Sequence, residues 1–221
     1  MSALAESRTT LEVLDVSNIP SSRMTPSMML DLARTTVACL ERPDIAGAVI
    51  THGTDTLEES AFFLDCFLGS DKPVCFAGAM RSGSDPGPDG PYNLVSAVRV
   101  ASSKKARGHG VLVVMNGEIH AARRVTKTHT ASVAAFASPG WGPLGLVDED
   151  DILLGPPLPR LPVLRPAVFE ARAPIIKVYT GMDAGLLEAV HAQKPDGLIL
   201  EAFGRGNIPD SVVPALMPYL D

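Results

Sequence analysis

The sequence predicts an open, doubly wound α/β fold, and three observations carry that reading. Short apolar runs recur along the chain, each bounded by Gly, Pro or polar residues. Stretches with helical periodicity lie between them. The runs are apolar almost without interruption, which suits strands covered on both faces, as in a parallel sheet. Strands alternating with helices then build βαβ crossovers.

Thr25 is the N-cap of the first helix, with Pro26 at the first helical position, where a missing N–H costs nothing. Met29, Leu32, Ala33, Val37 and Leu40 follow at helical spacing and form its inner face. Residues 47–51 (GAVIT) form the first strand. Thr56-Leu57-Glu58-Glu59 is a capping-box pattern that opens the second helix, whose Leu57, Ala61, Leu64 and Leu68 share one face. Residues 73–77 (PVCFA) make the next strand, and Gly90-Pro91 starts a third helix with Leu94, Ala97, Val98 and Ala101 inward. A strand over 111–115 (VLVVM), a loop over 116–130, and two later strands over 175–178 and 198–202 complete the pattern. Ligands of such sheets sit outside the carboxyl ends of the strands, which singles out the loops 51–56, 78–90, 116–130 and 203–210.

At roughly 150 residues per domain, 221 residues make about one and a half domains. Residues 155–174 contain GPPLPRLP and further prolines; proline fixes φ and removes a donor, so this stretch is predicted to be an irregular linker. It divides an α/β domain over residues 1–154 from residues 175–221, which offer too few elements for an independent sheet of the same kind.

Hydrophobic residues are 46% and charged residues 20%, the balance of a folded domain. With 25 acidic and 19 basic residues the net charge is −6, a poor footprint for nucleic acid or an anionic membrane surface. No apolar run approaches the ~20 residues of a membrane span. Residues 1–10 carry Glu6 and Arg8 and no apolar run, so no signal peptide is predicted and the expected location is the cytoplasm. Cys39, Cys66 and Cys75 lack metal or redox spacing and read as small buried apolar residues.

Two stretches hold the residue types of chemistry. In Thr51-His52-Gly53-Thr54-Asp55-Thr56, three hydroxyls, a carboxylate and an imidazole follow a strand and precede a helix N-terminus, where backbone amides attract anions. The same residues also serve as a locally hydrogen-bonded turn. In Arg123-Arg124-Val125-Thr126-Lys127-Thr128-His129-Thr130, a lysine among threonines can take a hydroxyl proton, and Arg123 and Arg124 can bind a carboxylate; a solvated basic loop reads equally well. His52, His120 and His129 lack metal-ligand spacing, and no metal site is predicted. Gly204-Arg205-Gly206-Asn207 lacks the rest of a phosphate loop, and residues 85–90 (DPGPDG) read as a turn.

Residues 47–56 (GAVITHGTDT) resemble the second signature of the bacterial-type L-asparaginase/glutaminase family. Companion motifs occur in the family's order: Gly78-Ala-Met-Arg81, Asp89-Gly-Pro91 with Asn93-Leu94, residues 110–116 (GVLVVMN), Val125-Thr-Lys-Thr128, Gly142-Pro-Leu-Gly145 and Gly204-x-Gly-Asn207. The resemblance implies a Rossmann-like N-terminal domain and a smaller α/β C-terminal domain. It also implies hydrolysis of the side-chain amide of asparagine, or of glutamine, through a threonine acyl-enzyme with no metal or organic cofactor. Thr54 matches the family's second active-site threonine, Asp55 the carboxylate that binds the substrate α-amino group, and Lys127 the lysine hydrogen-bonded to that threonine. Ser21 and Ser22 match the pair that contacts the α-carboxylate, although Ser22 replaces the more usual Gln or Glu. Ala79 matches a residue whose carbonyl lies near the leaving amide. Asn207 matches an asparagine lent to a partner subunit's site, in an assembly that is a dimer of dimers.

The family's T-G-G-T segment, which carries its usual nucleophile, occurs nowhere in these residues. On this reading the first strand is missing, the C-terminal domain is partial, and activity is impaired. A signal peptide ahead of a missing start would place the protein in the periplasm instead. The alternatives are a non-catalytic member that binds asparagine or aspartate, or a partner subunit of the amidotransferase type. A nucleotide-binding α/β protein fails for want of a phosphate loop.

Overall fold

The structure, a computed structural model, describes residues 9–219. Its residues form two compact units, one ending at Ala167 and the other starting at Val168. In the first, α1 (Pro26–Glu41), β1 (Ala48–Thr51), α2 (Leu57–Phe67), β2 (Val74–Ala77), α3 (Gly90–Ser102) and β3 (Val111–Met115) alternate as the sequence predicts. They are followed by β4 (Glu118–Ala121), β5 (Thr126–Lys127), β6 (Phe136–Ala137), β7 (Gly145–Asp148) and β8 (Asp151–Leu154).

The main sheet runs β1-β2-β3-β4-β7-β8. Its first three strands are parallel and the remainder pair antiparallel, so the expectation of a parallel sheet holds for one half only. The reason lies at Asn116-Gly117, with φ of 52° and 77°. Two left-handed residues reverse the chain at once, pairing Met115 with Glu118. Residues 116–130, expected as loop, therefore contain β4 and β5. Asn-Gly is itself the sequence signal for such a hairpin.

Helices cover both faces of the parallel strands. Val74, Phe76, Val111 and Val113 pack with Leu57, Ala61, Leu64 and Leu68 of the α2 side and with Ala33 and Leu40 of α1. Cys75, Ala77, Leu112 and Val114 turn the other way, onto Ala97, Val100 and Ala101 of α3. This period-2 division is the pleat of strands buried on both faces. The stripe of α2 is as predicted. In α1, Leu30 and Thr36 are buried with Ala33 and Leu40, while Met29, Leu32 and Val37 are only half-buried. In α3, Leu94 is 39% exposed and Val100 takes the inward position.

The helix starts differ from one another. Thr25 accepts a hydrogen bond from Met28 N at 3.3 Å, with Pro26 behind it. The capping box at Thr56 does not form; its hydroxyl instead donates to Ser21 O at 2.8 Å, tying the helix start to the Ser21–Arg23 turn. Cys39 and Cys66 are only partly buried, and all three thiols are free. Burial pushes the Cys75 thiol pKa up, and it does the same to Cys66, helped by the nearby Asp65 carboxylate.

The proline-rich stretch has no helix or strand, and part of it is strapped to the first unit. Leu164 N donates to Cys66 O at 2.8 Å, Arg160 Nη2 to Leu68 O at 2.7 Å, and Arg123 Nη1 to Pro159 O at 2.7 Å. At the centre is Asp65, 5% exposed, whose carboxylate accepts from Val111 N at 3.0 Å. Arg123 and Arg160 lie 3.6 and 3.8 Å from its oxygens.

In the second unit, β9 (Ile175–Lys177) and β10 (Ile199–Glu201) pair in parallel, with α4 (Gly185–His191) and α5 (Val213–Leu216). Val178, Met182, Leu187 and Val212 form its core. Among the described residues no helix is long and apolar enough to cross a membrane.

Asp65→Ala leaves two guanidinium groups and the Val111 amide without their buried acceptor. Breaking a buried pair from one side costs about 3–5 kcal/mol. The expected outcome is a lower urea midpoint with an unchanged m-value, read by circular dichroism.

Candidate functional site

Gly53, which follows β1, makes the first close approach. A Cβ added there would lie 2.6 Å from Ser21 Oγ and 2.8 Å from Ser21 Cβ. Without one, the buried Ser21 hydroxyl reaches the next residues and accepts from Asp55 N at 3.2 Å. Its own proton remains available for donation. Gly78, just past β2, repeats the device: a Cβ there would meet His52 O at 2.8 Å and the Thr54 methyl at 3.1 Å. The two loops thus touch at their backbones, at the carboxyl ends of adjacent strands.

Lys127 comes from β5, whose ladder is made with β6 and not with the main sheet. Its Nζ donates to Thr54 Oγ1 at 2.9 Å and to Asp55 Oδ1 at 3.1 Å. Hydroxyl, amine and carboxylate meet across 73 residues of sequence. The Lys127 side chain is 20% exposed and that of Asp55 65%, so the amine is sheltered while the carboxylate faces water. A cleft of about 250 Å³ opens beside them, lined by Asp55, Lys127, Thr128, His129 and Thr130. A buried hydroxyl donor, a hydroxyl–amine pair and an accessible carboxylate can hold a small zwitterion and act on a carbonyl carbon.

Ala79 follows Gly78 in a loop clamped by the start of α3. Asp89 accepts from Met80 N at 3.0 and 3.1 Å, from Arg81 N at 2.9 Å and from Asn93 Nδ2 at 3.0 Å. Asn93 Nδ2 also donates to Gly78 O at 3.0 Å, while its Oδ1 accepts from Asn116 N at 2.8 Å. Two side chains one helical turn apart thus join the loop after β2 to the turn after β3. Burial raises the Asp89 pKa, but the amides of Met80 and Arg81 with the Asn93 side chain outweigh it and hold the carboxyl below its ordinary range.

The remaining predicted residues take other places. Ser22 is exposed in the Ser21–Arg23 turn and makes no hydrogen bond among the described residues. Asn207 lies in the second unit, exposed, in a tight turn where it exchanges backbone hydrogen bonds with Phe203 at 2.9 Å. Gly204 and Gly206, with φ of 51° and 106°, make that turn possible. Arg123 and Arg124 both have partners within the fold. The first is spent on Pro159 and Asp65, and the second stacks over Trp141 at 3.9 Å.

The three imidazoles do not converge. His52 Nδ1 donates to Gly53 O at 2.7 Å, leaving Nε2 to accept from Ser60 Oγ at 3.0 Å. His129 Nδ1 accepts from the amides of Ala131 and Ser132. His120 is buried between Ser138 Oγ at 3.0 Å and Glu118 Oε2 at 3.1 Å. Burial pushes its pKa down against the pull of Glu118. One residue escaped the sequence reading. Glu58, taken there only as part of a capping pattern, accepts from the Lys127 backbone N and from Thr126 Oγ1 at 3.1 Å.

Since the folded Asp89 pKa lies below the unfolded one, near 3.9, its stabilisation is complete above that value and is lost as pH falls through the folded pKa. Asp89→Asn should therefore melt below the parent at about pH 6, and the gap should close as pH approaches about 2. Thermal melts across that range measure it.

Residues 1–158 match the family model described as Asparaginase, N-terminal. The chain is 40% identical over 211 residues to the probable L-asparaginase of Deinococcus radiodurans, covering 90% of this chain and 62% of that protein. It is 38% identical to the glutaminase-asparaginase of Pseudomonas fluorescens biotype A, covering 91% and 57%. It is 47% identical over 134 residues to the probable L-asparaginase periplasmic of Haemophilus influenzae, covering 61% and 38%. The chain spans less than two thirds of the length of these relatives.

Proposed function

The chain belongs to the asparaginase family, and on that premise we propose that it is an asparaginase-type amidohydrolase, converting L-asparagine to L-aspartate and ammonia. One observation carries the reading: Lys127 Nζ lies within hydrogen-bond distance of both Thr54 Oγ1 and Asp55 Oδ1. The similar proteins named above, L-asparaginases and a glutaminase-asparaginase, support the substrate class.

In the proposed reaction Asp55 pairs with the substrate α-amino group and the Ser21 hydroxyl donates to its α-carboxylate, with Ser22 beside it. Thr54 Oγ1 attacks the side-chain amide carbon while the Lys127 amine takes its proton. The tetrahedral adduct expels ammonia as Lys127 returns the proton, leaving an ester on Thr54 and aspartate after attack by water. The Ala79 carbonyl accepts a hydrogen bond from the departing amide. Every step is proton transfer and acyl transfer, with no role for a metal or organic cofactor. On this reading Thr54 supplies the attacking hydroxyl among these residues, and slow turnover is the expected result. Asn207 is proposed to complete the site of a second copy in a homo-oligomer.

Ammonia release from L-asparagine and L-glutamine by the 221-residue chain tests the reading. Slow release is expected, abolished in Thr54→Ala and reduced on the order of 100-fold or more in Lys127→Met. Turnover indifferent to both substitutions would refute the relay. No release, with aspartate binding that is lost in Asp55→Ala, would favour the non-catalytic alternative.

A further inference from the structure

We propose that Glu58 is the positioning residue for Lys127, setting the distance from its amine to the Thr54 hydroxyl. The proposal rests on the reading of Thr54, Asp55 and Lys127 as the reacting cluster. It starts from the shortness of the ribbon that carries Lys127, whose ladder is extended by Thr128, bonded through N and Oγ1 to Ala135 O at 2.7 and 3.0 Å. β5 is two residues long, and its ladder partner β6 is equally short and separate from the main sheet. Val125, Ala135 and Phe136 anchor the ribbon in the core beneath α2. Apolar burial is non-directional, so it fixes depth and leaves sliding and rotation weakly specified.

Glu58 supplies the missing direction. One carboxylate oxygen accepts from the Lys127 backbone N–H and the other from Thr126 Oγ1 at 3.1 Å, so a single side chain grips consecutive residues of β5. A carboxylate accepting N–H and O–H donors makes charge-assisted bonds, stronger than neutral ones. Glu58 also stands in the first turn of α2, three residues after Asp55 and four after Thr54. The grip therefore joins the strand carrying the amine to the helix start carrying the hydroxyl and the carboxylate. Glu58 touches neither Nζ nor Oγ1, so its effect on chemistry passes through the backbone of Lys127.

The carboxylate also borders an open groove of about 270 Å³, lined by Glu58, Glu59, Phe62, Ala122, Arg123 and Val125. Truncating it enlarges a groove already open to solvent instead of creating a sealed cavity, so Glu58→Ala is expected to fold. Glutamine keeps the shape: its carbonyl oxygen can accept from the Lys127 amide, and its NH2 can donate to a Thr126 hydroxyl turned to accept.

Two readouts on the full chain test the proposal. In Glu58→Ala, amide hydrogen exchange at Lys127 should quicken at least about tenfold while amides of β2 and β3 stay protected. The kcat for asparagine should fall on the order of 100-fold with KM little changed, because a displaced amine impairs the reaction without removing a substrate contact. Glu58→Gln should restore most of both. Unchanged exchange at Lys127 in Glu58→Ala, or a glutamine variant as defective as alanine, would overturn the proposal. Absent turnover in the parent chain would count against the amidohydrolase reading, and the exchange comparison would still decide the role of Glu58.

Discussion

The constraint on which the first unit depends is the burial of one stripe of α2. Leu57, Ala61, Leu64 and Leu68 are withdrawn from water against Val74, Phe76, Val111 and Val113. Each of the three leucines contributes about 1.5–3 kcal/mol when fully buried, so together they outweigh any single polar contact the helix makes. Once the stripe fixes the helix, its charged residues have fixed addresses. Asp55 stands at the start, Glu58 in the first turn, and Asp65 at the far end. The same seating brings Thr54 and Asp55 to the carboxyl ends of β1 and β2, holds the strand of Lys127, and anchors the prolines at 155–167 through Arg160.

What the sequence made legible follows physical periodicity. The strands over 74–77 and 111–115 are continuous apolar runs, and the stripe of α2 is an uninterrupted helical repeat. The antiparallel half of the sheet was less visible because its strands are short and mixed. β5 and β6 have two residues each, too few for any repeat to register. Periodicity also misplaced single residues: it chose Met29 where the next residue, Leu30, is buried, and it counted Leu94 inward and missed the buried Val100. The capping box failed for a different reason. The Thr56 hydroxyl found an acceptor in Ser21, 35 residues away, and local pattern carries no information about such a partner.

The candidate site divides the same way. Thr54 and Asp55 were conspicuous as polar residues bunched after a strand. Lys127 joined them only through the resemblance, because residue types cannot state that two loops 73 residues apart will meet. Composition likewise suggested that Arg123 and Arg124 were free to bind a carboxylate. The structure commits one to Asp65 and Pro159 and the other to Trp141. The Arg123 charge thereby sits against the buried Asp65 carboxylate.

The contact between Gly78 and the Thr54 methyl has a stereochemical consequence. The Cβ of threonine carries two unlike substituents, and its χ1 torsion is stiff. A Cβ at position 78 would lie 3.1 Å from this methyl, so glycine leaves it room while the oxygen on the same carbon accepts from Lys127 Nζ. The methyl acts as a keel: an apolar group restrains the direction in which the hydroxyl faces. Serine at this position would keep the oxygen and lose the rudder, spreading it over three rotamers where threonine holds it in one.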